Sequence, residues 1–154
     1  MNSDFQIREA QDDDSESISV LMAEMGHPLD LEVVRLNLRA LRALAPLYGT
    51  FVAVFDRSVV GVVSAFASQV LHRSHRVGRV SVLVVAGSFV ARGIGSALLF
   101  RAETFLRDLG CRRIEVTSAA HRREAHQFYR RRGYNQQGVR FAREFEAESS
   151  GLIV

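Results

Sequence analysis

The order of apolar and polar positions in the first part of the chain predicts one strand and two helices. Phe5-Gln6-Ile7 has the alternation of a half-buried strand, and the acids of Asp12-Asp13-Asp14 favour the start of a helix. In both helices the apolar residues recur at intervals of three and four: Ile18, Leu21, Met22 and Met25 in the first, and Leu31, Val34, Leu38 and Leu41 in the second. Gly26-His27-Pro28 separates the two helices. We expect both apolar stripes to lie in the core.

The middle of the chain predicts three consecutive antiparallel strands. Its apolar, β-branched runs are Phe51–Phe55, Val59–Phe66 and Val77–Val85. They are separated by Asp56-Arg57-Ser58 and by the polar span from Ser68 to Arg76.

Helices and strands alternate after these strands. The predicted elements are a helix from near Gly93 to Gly110, a strand over Ile114–Thr117, a helix from about Arg122 to Gly133 and a final strand over Val139–Phe145. The complete order, βααβββαβαβ, indicates an α/β (α+β) fold with a mixed, mostly antiparallel central sheet flanked by helices. We expect one domain over residues 1–145 and a frayed tail over residues 146–154.

The composition and the first residues of the chain indicate the class of protein and its expected location. At 154 residues, 47% hydrophobic and 24% charged, the chain is typical of one globular domain. No apolar stretch approaches the roughly 20 residues that a membrane span requires, so we expect no membrane partner. The start, Met1-Asn2-Ser3-Asp4, has neither the basic nor the apolar region of a signal peptide, so we expect a cytoplasmic protein. The single cysteine, Cys111, cannot form an intrachain disulfide, and we place it in the loop that enters a strand.

Charge is distributed unevenly along the chain. All 20 basic residues are arginines. Residues 1–34 hold nine carboxylates against one arginine, whereas residues 92–143 hold twelve arginines against four carboxylates. This asymmetry suits an anionic ligand near the second half of the chain and tolerates a cationic one near the first. Nucleic acid is a competing anionic partner, but no recognition motif accompanies the arginines, so we do not expect it.

The most informative stretch is residues 83–99, where an apolar run passes through a short turn into a glycine-rich helix start. The first N–H groups of a helix lack intrahelical partners, and Gly93 and Gly95 allow an anion to approach them. Ser96 adds a hydroxyl and Arg92 adds a charge, which together suit a diphosphate. The alternative is a strand-to-helix turn that uses glycine only for close packing.

Three segments of the chain form a known pattern. They are Leu83-Val84-Val85, then Arg92-Gly93-Ile94-Gly95-Ser96-Ala97-Leu98-Leu99, then Glu124-Ala125-His126-Gln127-Phe128-Tyr129 with Arg132-Gly133-Tyr134 after it. Together they closely resemble the GNAT superfamily of acyl-CoA-dependent N-acyltransferases, over nearly the whole chain. Within the superfamily, Ala125–Tyr129 and Gly133-Tyr134, with Arg140-Phe141 following, look most like small-molecule enzymes of the aminoalkylphosphonate N-acetyltransferase type.

The resemblance implies a GNAT-like sheet, acetyl-CoA as co-substrate, and direct attack of a neutral primary amine on the acetyl carbonyl. We expect no metal site. The residues implied to bind the pyrophosphate are Arg92, Gly93, Ile94, Gly95, Ser96 and Ala97, and those implied to bond the pantetheine arm through the main chain are Leu83, Val84 and Val85. Tyr129 matches the tyrosine that protonates the departing thiolate. An unperturbed phenol has a pKa near 10, so Tyr129 would carry its proton at neutral pH.

Three positions depart from the family pattern. Val90 stands where the family usually has Gln or Arg, and Ala119 stands near the position of an asparagine that often follows the fifth strand. The stretch Arg79-Val80-Ser81-Val82 lacks the carboxylate that accepts the proton of the amine in many members. The pattern therefore does not identify the base that accepts this proton. The candidates are His27, His72, His75 and bulk water.

The acceptor amine is also open. Superfamily acceptors commonly lie between the first two helices and the sheet, which implies Glu24, His27, Asp30, His72 and His75 as substrate-binding residues and suits a small zwitterionic amine. Aminoalkylphosphonate enzymes carry carboxylates where this chain has Arg79 and Val82, so we expect a different amine. Members are often homodimers, which makes a second copy an expected partner. The alternatives are a protein or peptide N-acetyltransferase, an acyl-CoA-binding sensor or degenerate enzyme, and, least favoured, a basic interaction module that ignores CoA.

Overall fold

Residues 4–147 are described here from a computed structural model of the chain. The chain divides into two units, one ending at Thr117 and one beginning at Ser118. In the first unit the elements are β1 (Phe5–Glu9), α1 (Ser15–Glu24), α2 (Leu31–Ala43), β2 (Tyr48–Phe55), β3 (Ser58–Ser68), β4 (Arg76–Val85), α3 (Ile94–Asp108) and β5 (Cys111–Val116). The second unit contains α4 (Arg123–Arg131). Single 3-10 turns over Asp12–Asp14 and Gly87–Phe89 precede α1 and α3.

The five strands form one sheet in the order β1-β2-β3-β4-β5. Every neighbouring pair is antiparallel except β4 and β5, which are parallel. Helices α1 and α2 bury Val52 and Val62 on one face. Helix α3 covers the other face, where a Cβ added to Gly78 would meet Leu106 at 2.7 Å. The predicted mixed sheet flanked by helices is therefore confirmed.

Two irregularities shape the sheet near its centre. The register pairs Ser64 with Val82 and Ala65 with Val80, so Ser81 is an extra residue on β4, a β-bulge. The parallel ladder between β4 and β5 ends at the pair Val80 and Val116, although β4 continues to Val85. Among the described strands, the last part of β4 therefore pairs only with β3.

Two details differ from the sequence-based expectations. Strand β5 begins at Cys111, which is buried and pairs with Arg76, so the cysteine lies in the strand and not in the loop before it. Within the described part of the second unit, residues 134–147 contain neither helix nor strand, so the final strand predicted over Val139–Phe145 is not found there. A strand pattern is realised only where a neighbour accepts the backbone hydrogen bonds and buries one face. The side chains of this segment are instead exposed: Val139 by 81%, Phe141 by 91% and Phe145 by 79%.

The predicted tail lies mostly outside the described residues, since only its first two positions fall within them. No described helix has both the length and the apolar character to cross a membrane. The single domain over residues 1–145, the cytoplasmic location and the homodimer stay predictions.

Candidate active site

The loop between β4 and α3 supplies an open helix start. Gly93 is the N-cap of α3, with a left-handed φ of +80°, which glycine adopts without strain. The N–H of Ala97, one of the predicted pyrophosphate residues, bonds to the Gly93 oxygen at 3.1 Å inside the helix. A Cβ built on Gly93 meets no heavy atom within 4 Å. Among the described residues, the space beside Gly93 at the helix start is therefore open.

Hydrophobic burial fixes the direction of this helix. The exposed fraction is 1% or less for Ile94, Leu98 and Leu99, so the first turns of α3 are anchored in the core. Just before the helix, Ala91 has a φ of +67°, an uncommon conformation for a residue with a Cβ. The loop therefore has two left-handed residues, Ala91 and Gly93, on either side of Arg92.

Arg92 lies over two aromatic rings. Its guanidinium carbon is 5.0 Å from the ring centroid of Phe89 and 5.8 Å from that of Phe55. The two rings pack against each other at 5.1 Å. Among residues 4–147 no carboxylate forms an ion pair with Arg92. Cation–π contacts therefore hold the guanidinium over the two rings. Its N–H groups lie in the plane of the guanidinium and can still donate to an anion.

Among residues 4–147, no strand pairs with the outer edge at the end of β4, which precedes this loop in the chain. Leu83, Val84 and Val85 pair with β3 on one side, opposite Val63, Val62 and Gly61. The β5 ladder has already ended at Val80. The other edge of these three residues therefore presents peptide groups that an extended, amide-containing arm can pair with.

The predicted acceptor residues all belong to the first unit, but the structure brings only one of them to the loop. Glu24 Oε2 accepts a hydrogen bond of 3.1 Å from the Gly87 N–H, which links the end of α1 to the turn that leads towards α3. His27 is exposed and held by a backbone bond to Met22 at the end of α1, and Asp30 is the N-cap of α2. In the loop before β4, His72 is exposed and His75 half-buried; their predicted roles stay predictions.

Tyr129 lies in α4, in the second unit, within an aromatic cluster. Its ring is 5.2 Å from that of Phe128 and 5.6 Å from that of Tyr134. Burial raises the pKa of the Tyr129 phenol above its ordinary value of 10, and the charge of Arg122 offsets part of the rise. The phenol is therefore protonated at neutral pH, as an acid must be.

Sequence reasoning missed the aromatic pair under Arg92 and one buried hydroxyl. Phe55 and Phe89 come from different elements, and nothing in the periodicity brings them together. In the second unit Ser118 Oγ is buried and has no hydrogen-bond partner among the described residues. Ser118 directly precedes Ala119, one of the positions that depart from the family pattern.

An open helix start that follows, in the chain, a strand end paired with β3 alone among the described strands suits a nucleotide with an extended arm. The chain belongs to the Acetyltransferase (GNAT) family, which it matches over residues 11–134. It is similar to a protein named aminoalkylphosphonate N-acetyltransferase from Salmonella typhimurium strain LT2, with 32% identity over 139 residues that cover 90% of each protein.

Solved structures share the fold. A transcriptional regulator from Bacillus halodurans C-125 superposes with a TM-score of 0.82 at 19% identity, over 92% of this chain and 99% of that one. An aminoglycoside N-acetyltransferase in complex with CoA superposes with a TM-score of 0.80 at 17% identity, over 91% of this chain and 94% of that one. The chain is an acetyltransferase that acts on amines, and acetyl-CoA is its co-substrate.

Proposed function

We propose that the protein transfers the acetyl group of acetyl-CoA to the primary amine of a small molecule by direct attack in a ternary complex. The observation that carries the proposal is the succession, within one unit, of the one-sided strand end Leu83–Val85 and the open helix start at Gly93. The first suits the pantetheine amides, and the second suits the pyrophosphate. The co-substrate supplies an acetyl thioester, whose carbonyl carbon is the electrophile.

The phosphate end is held by the residues that precede Ala97. Backbone donors at the start of α3, in the positive field of the helix dipole, receive the diphosphate. Arg92, fixed over Phe89 and Phe55, adds a charge-assisted hydrogen bond. This arrangement substitutes for the side chain missing at Val90, whose own side chain is exposed.

At the reacting end the protein aligns the two substrates and supplies one proton. The β4 main chain orients the thioester, and alignment of this kind lowers a barrier by several kcal/mol, of order 7–11 in favourable cases. The amine nitrogen forms the new C–N bond, and the C–S bond breaks. Tyr129 donates its phenolic proton to the departing thiolate and is reprotonated from solvent. No residue of the chain is acetylated on the way.

The amine must release a proton to a base. Strand β4 has no carboxylate that could accept this proton. Val82 packs against the core formed with α1 and α2, and Arg79 is a cation. His27, His72, His75 and bulk water remain the candidates for this role. A neutral amine needs no base before attack, so solvent alone suffices for a fast step.

The similarity to an aminoalkylphosphonate N-acetyltransferase supports a small aliphatic amine over a protein acceptor. The similarity does not identify the amine. This chain has Arg79 and Val82 at the positions where the resemblance implies carboxylates in those enzymes.

The experiment that tests the proposal is a calorimetric titration with acetyl-CoA, followed by an assay of free-thiol release against a panel of small amines. We expect binding and amine-dependent release. Gly95→Trp should abolish binding by filling the space at the helix start. Gly87→Ala is the matched control, because a Cβ there meets nothing within 4 Å and the Gly87 N–H is retained. Binding without release from any amine would favour a sensor, and no binding would overturn the assignment.

A further inference from the structure

Helix α2 has two apolar stripes, and only one of them lies in the core. Val34 and Leu38 are buried in the cluster that α1 and α2 form over the sheet. The second stripe, called the outer stripe from here on, is exposed and recurs at intervals of three and four. Its members are Val33, Leu36, Ala40 and Ala43. Single exposed apolar residues are common on protein surfaces, but a continuous stripe of them indicates a contact surface.

The outer stripe extends past both ends of the helix. Leu29, before α2, and Leu44, after it, are also exposed. Leu36, at the middle of the stripe, is 61% exposed, more than either of these two leucines. Among residues 4–147, no element therefore covers the outer stripe.

Contacts within the first unit hold α2 in place. Before its start, the Leu29 oxygen accepts a hydrogen bond of 2.9 Å from Ser19 Oγ of α1. Near its end, Arg42 Nη1 lies 3.0 Å from Asp12 Oδ1. The stripe is thus presented by a fixed helix, and a partner that binds it orders few groups that were free before.

Two opposite charges lie on one flank of the outer stripe. Glu32 and Arg39 are seven residues apart, which is about two helical turns, so their side chains project from the same flank. Each already has a contact within the chain, Glu32 with Arg35 and Arg39 with Asp12. The side chains of Glu32 and Arg39 are nevertheless 74% and 62% exposed, so both can reach a further partner.

The order of these charges favours a second copy of the same helix. In an antiparallel helix pair related by a twofold axis, the same flank of both copies comes together. Glu32 of each copy then faces Arg39 of the other copy, and the midpoint between the two positions sets the axis beside Leu36. A parallel pair would place Glu32 against the opposite flank, where Asp30 and Asn37 offer no cation. Charge complementarity therefore favours the antiparallel pair.

We propose that the outer stripe binds a second copy of this chain in an antiparallel pair of α2 helices, with the twofold axis beside Leu36. The two Leu36 side chains meet at the axis, and Val33 of each copy packs against Ala40 of the other. Two Glu32–Arg39 ion pairs close one flank. A helix of 13 residues is only about 20 Å long, so the contact is small and the dimer dissociates on dilution to roughly micromolar concentration.

The first test is sedimentation equilibrium between about 1 and 200 µM protein. We expect a monomer at the low end and a dimer at the high end. Leu36→Glu places two carboxylates together at the axis and should keep the protein monomeric throughout. Phe100→Glu is the matched control, because it makes the same kind of change at an exposed apolar residue of α3, on the other face of the sheet, and should dimerise as wild type does. Circular dichroism of each variant checks that the fold is retained.

Charge reversal tests the register of the pair. Glu32→Arg and Arg39→Glu should each weaken the dimer by roughly tenfold or more, because each brings like charges together twice across the axis. The double variant Glu32→Arg/Arg39→Glu restores opposite charges and should recover most of the affinity. Two single variants that dimerise as tightly as wild type would overturn the proposed arrangement.

Disulfide formation between copies tests the direction of the helices. The single natural cysteine, Cys111, is buried, so an introduced cysteine reports on the surface. Oxidation should link Leu36→Cys to its own copy. Leu29→Cys and Leu44→Cys lie roughly 20 Å or more from their counterparts in the antiparallel pair, so neither should link to itself, whereas a mixture of the two should give the mixed dimer.

Three results would overturn the proposal. A monomer at the highest concentration would leave the outer stripe to a different protein. A dimer that persists in Leu36→Glu would place the contact between copies on another surface. Self-linking of Leu29→Cys would show a parallel pair. None of these readouts requires acetyl transfer, so the proposed function and the dimer contact can fail separately.

Discussion

The rings of Tyr129 and Tyr134 meet edge to face, 5.6 Å apart, across the turn that ends α4. Gly133 in the turn has a φ of +85°. Its N–H bonds to the Arg130 oxygen and the Tyr134 N–H bonds to the Tyr129 oxygen, both at 3.1 Å. This is the Schellman arrangement, which brings the residue after the glycine against the last turn of the helix. The Gly-Tyr pair therefore holds the ring of the proposed acid.

We predict that Tyr134→Ala lowers kcat about tenfold, because a less constrained Tyr129 spends less time in its productive orientation. Tyr134→Phe keeps the ring and removes only the hydroxyl, so it should keep more of the wild-type kcat than Tyr134→Ala does. Steady-state kinetics with saturating acetyl-CoA measures both variants. If Tyr134→Ala keeps its kcat, the Tyr129 ring is positioned by other contacts.

Tyr129→Phe should reduce kcat by about a hundredfold, since it removes a general acid, while acetyl-CoA affinity and melting temperature stay unchanged.

The pH dependence of kcat follows from the raised pKa of Tyr129. A phenol with a raised pKa stays protonated until the pH passes that value, so kcat should fall only above about pH 10. Profiles of log kcat against pH test this directly. The alkaline fall should be absent in Tyr129→Phe, and a fall of wild-type kcat well below pH 10 would assign it to another group.

Arg92→Ala should weaken acetyl-CoA binding by roughly 1–2 kcal/mol, about tenfold, because a charge-assisted hydrogen bond to phosphate is lost. Phe89→Leu should cause a smaller loss by removing one of the rings under the guanidinium. Calorimetry at low and high salt measures both. Equal affinity of Arg92→Ala and wild type at low salt would place this side chain in solvent in the complex.

Asp14 provides a prediction about stability. Burial alone would raise the pKa of its carboxyl, but hydrogen bonds from Arg8 and the Gln11 N–H hold it below its ordinary value. Asp14→Ala should cost about 2 kcal/mol, less than for a fully buried pair because Arg8 is one-third exposed.

The lowered pKa of Asp14 also fixes the direction of the pH effect. The stability from this pair is present above the unfolded pKa of about 3.9 and is lost as the pH falls through the lower folded value. Urea unfolding at about pH 7 and about pH 3 should show that the gap between wild type and Asp14→Ala narrows in acid. A gap that stays constant with pH would show that the contribution of Asp14 is not ionic.

Local patterns predicted most elements of this fold. The spacing of Ile18, Leu21 and Met22 gave a helix whose apolar residues are buried, and Gly93 begins α3 as its glycine pair indicated. These features depend on a few consecutive residues, whose periodicity is visible in the sequence.

Features that depend on long-range register could not be predicted in this way. The extra residue Ser81 shifts which side chains of β4 share a face, so Arg79 and Val82 lie opposite Phe66 and Ser64 on one face although they are three residues apart. The segment Val139–Phe145 shows the opposite error, because its alternation is that of a strand while its apolar side chains are exposed.

The left-handed conformation of Ala91 has a consequence for binding thermodynamics. For a residue with a Cβ this conformation costs about 1–2 kcal/mol, and the contacts of the folded chain supply that energy before any ligand arrives. A loop that is already shaped loses little conformational entropy when a diphosphate enters it. Under the proposed function, the protein preorganises the diphosphate site at the expense of its own folding stability.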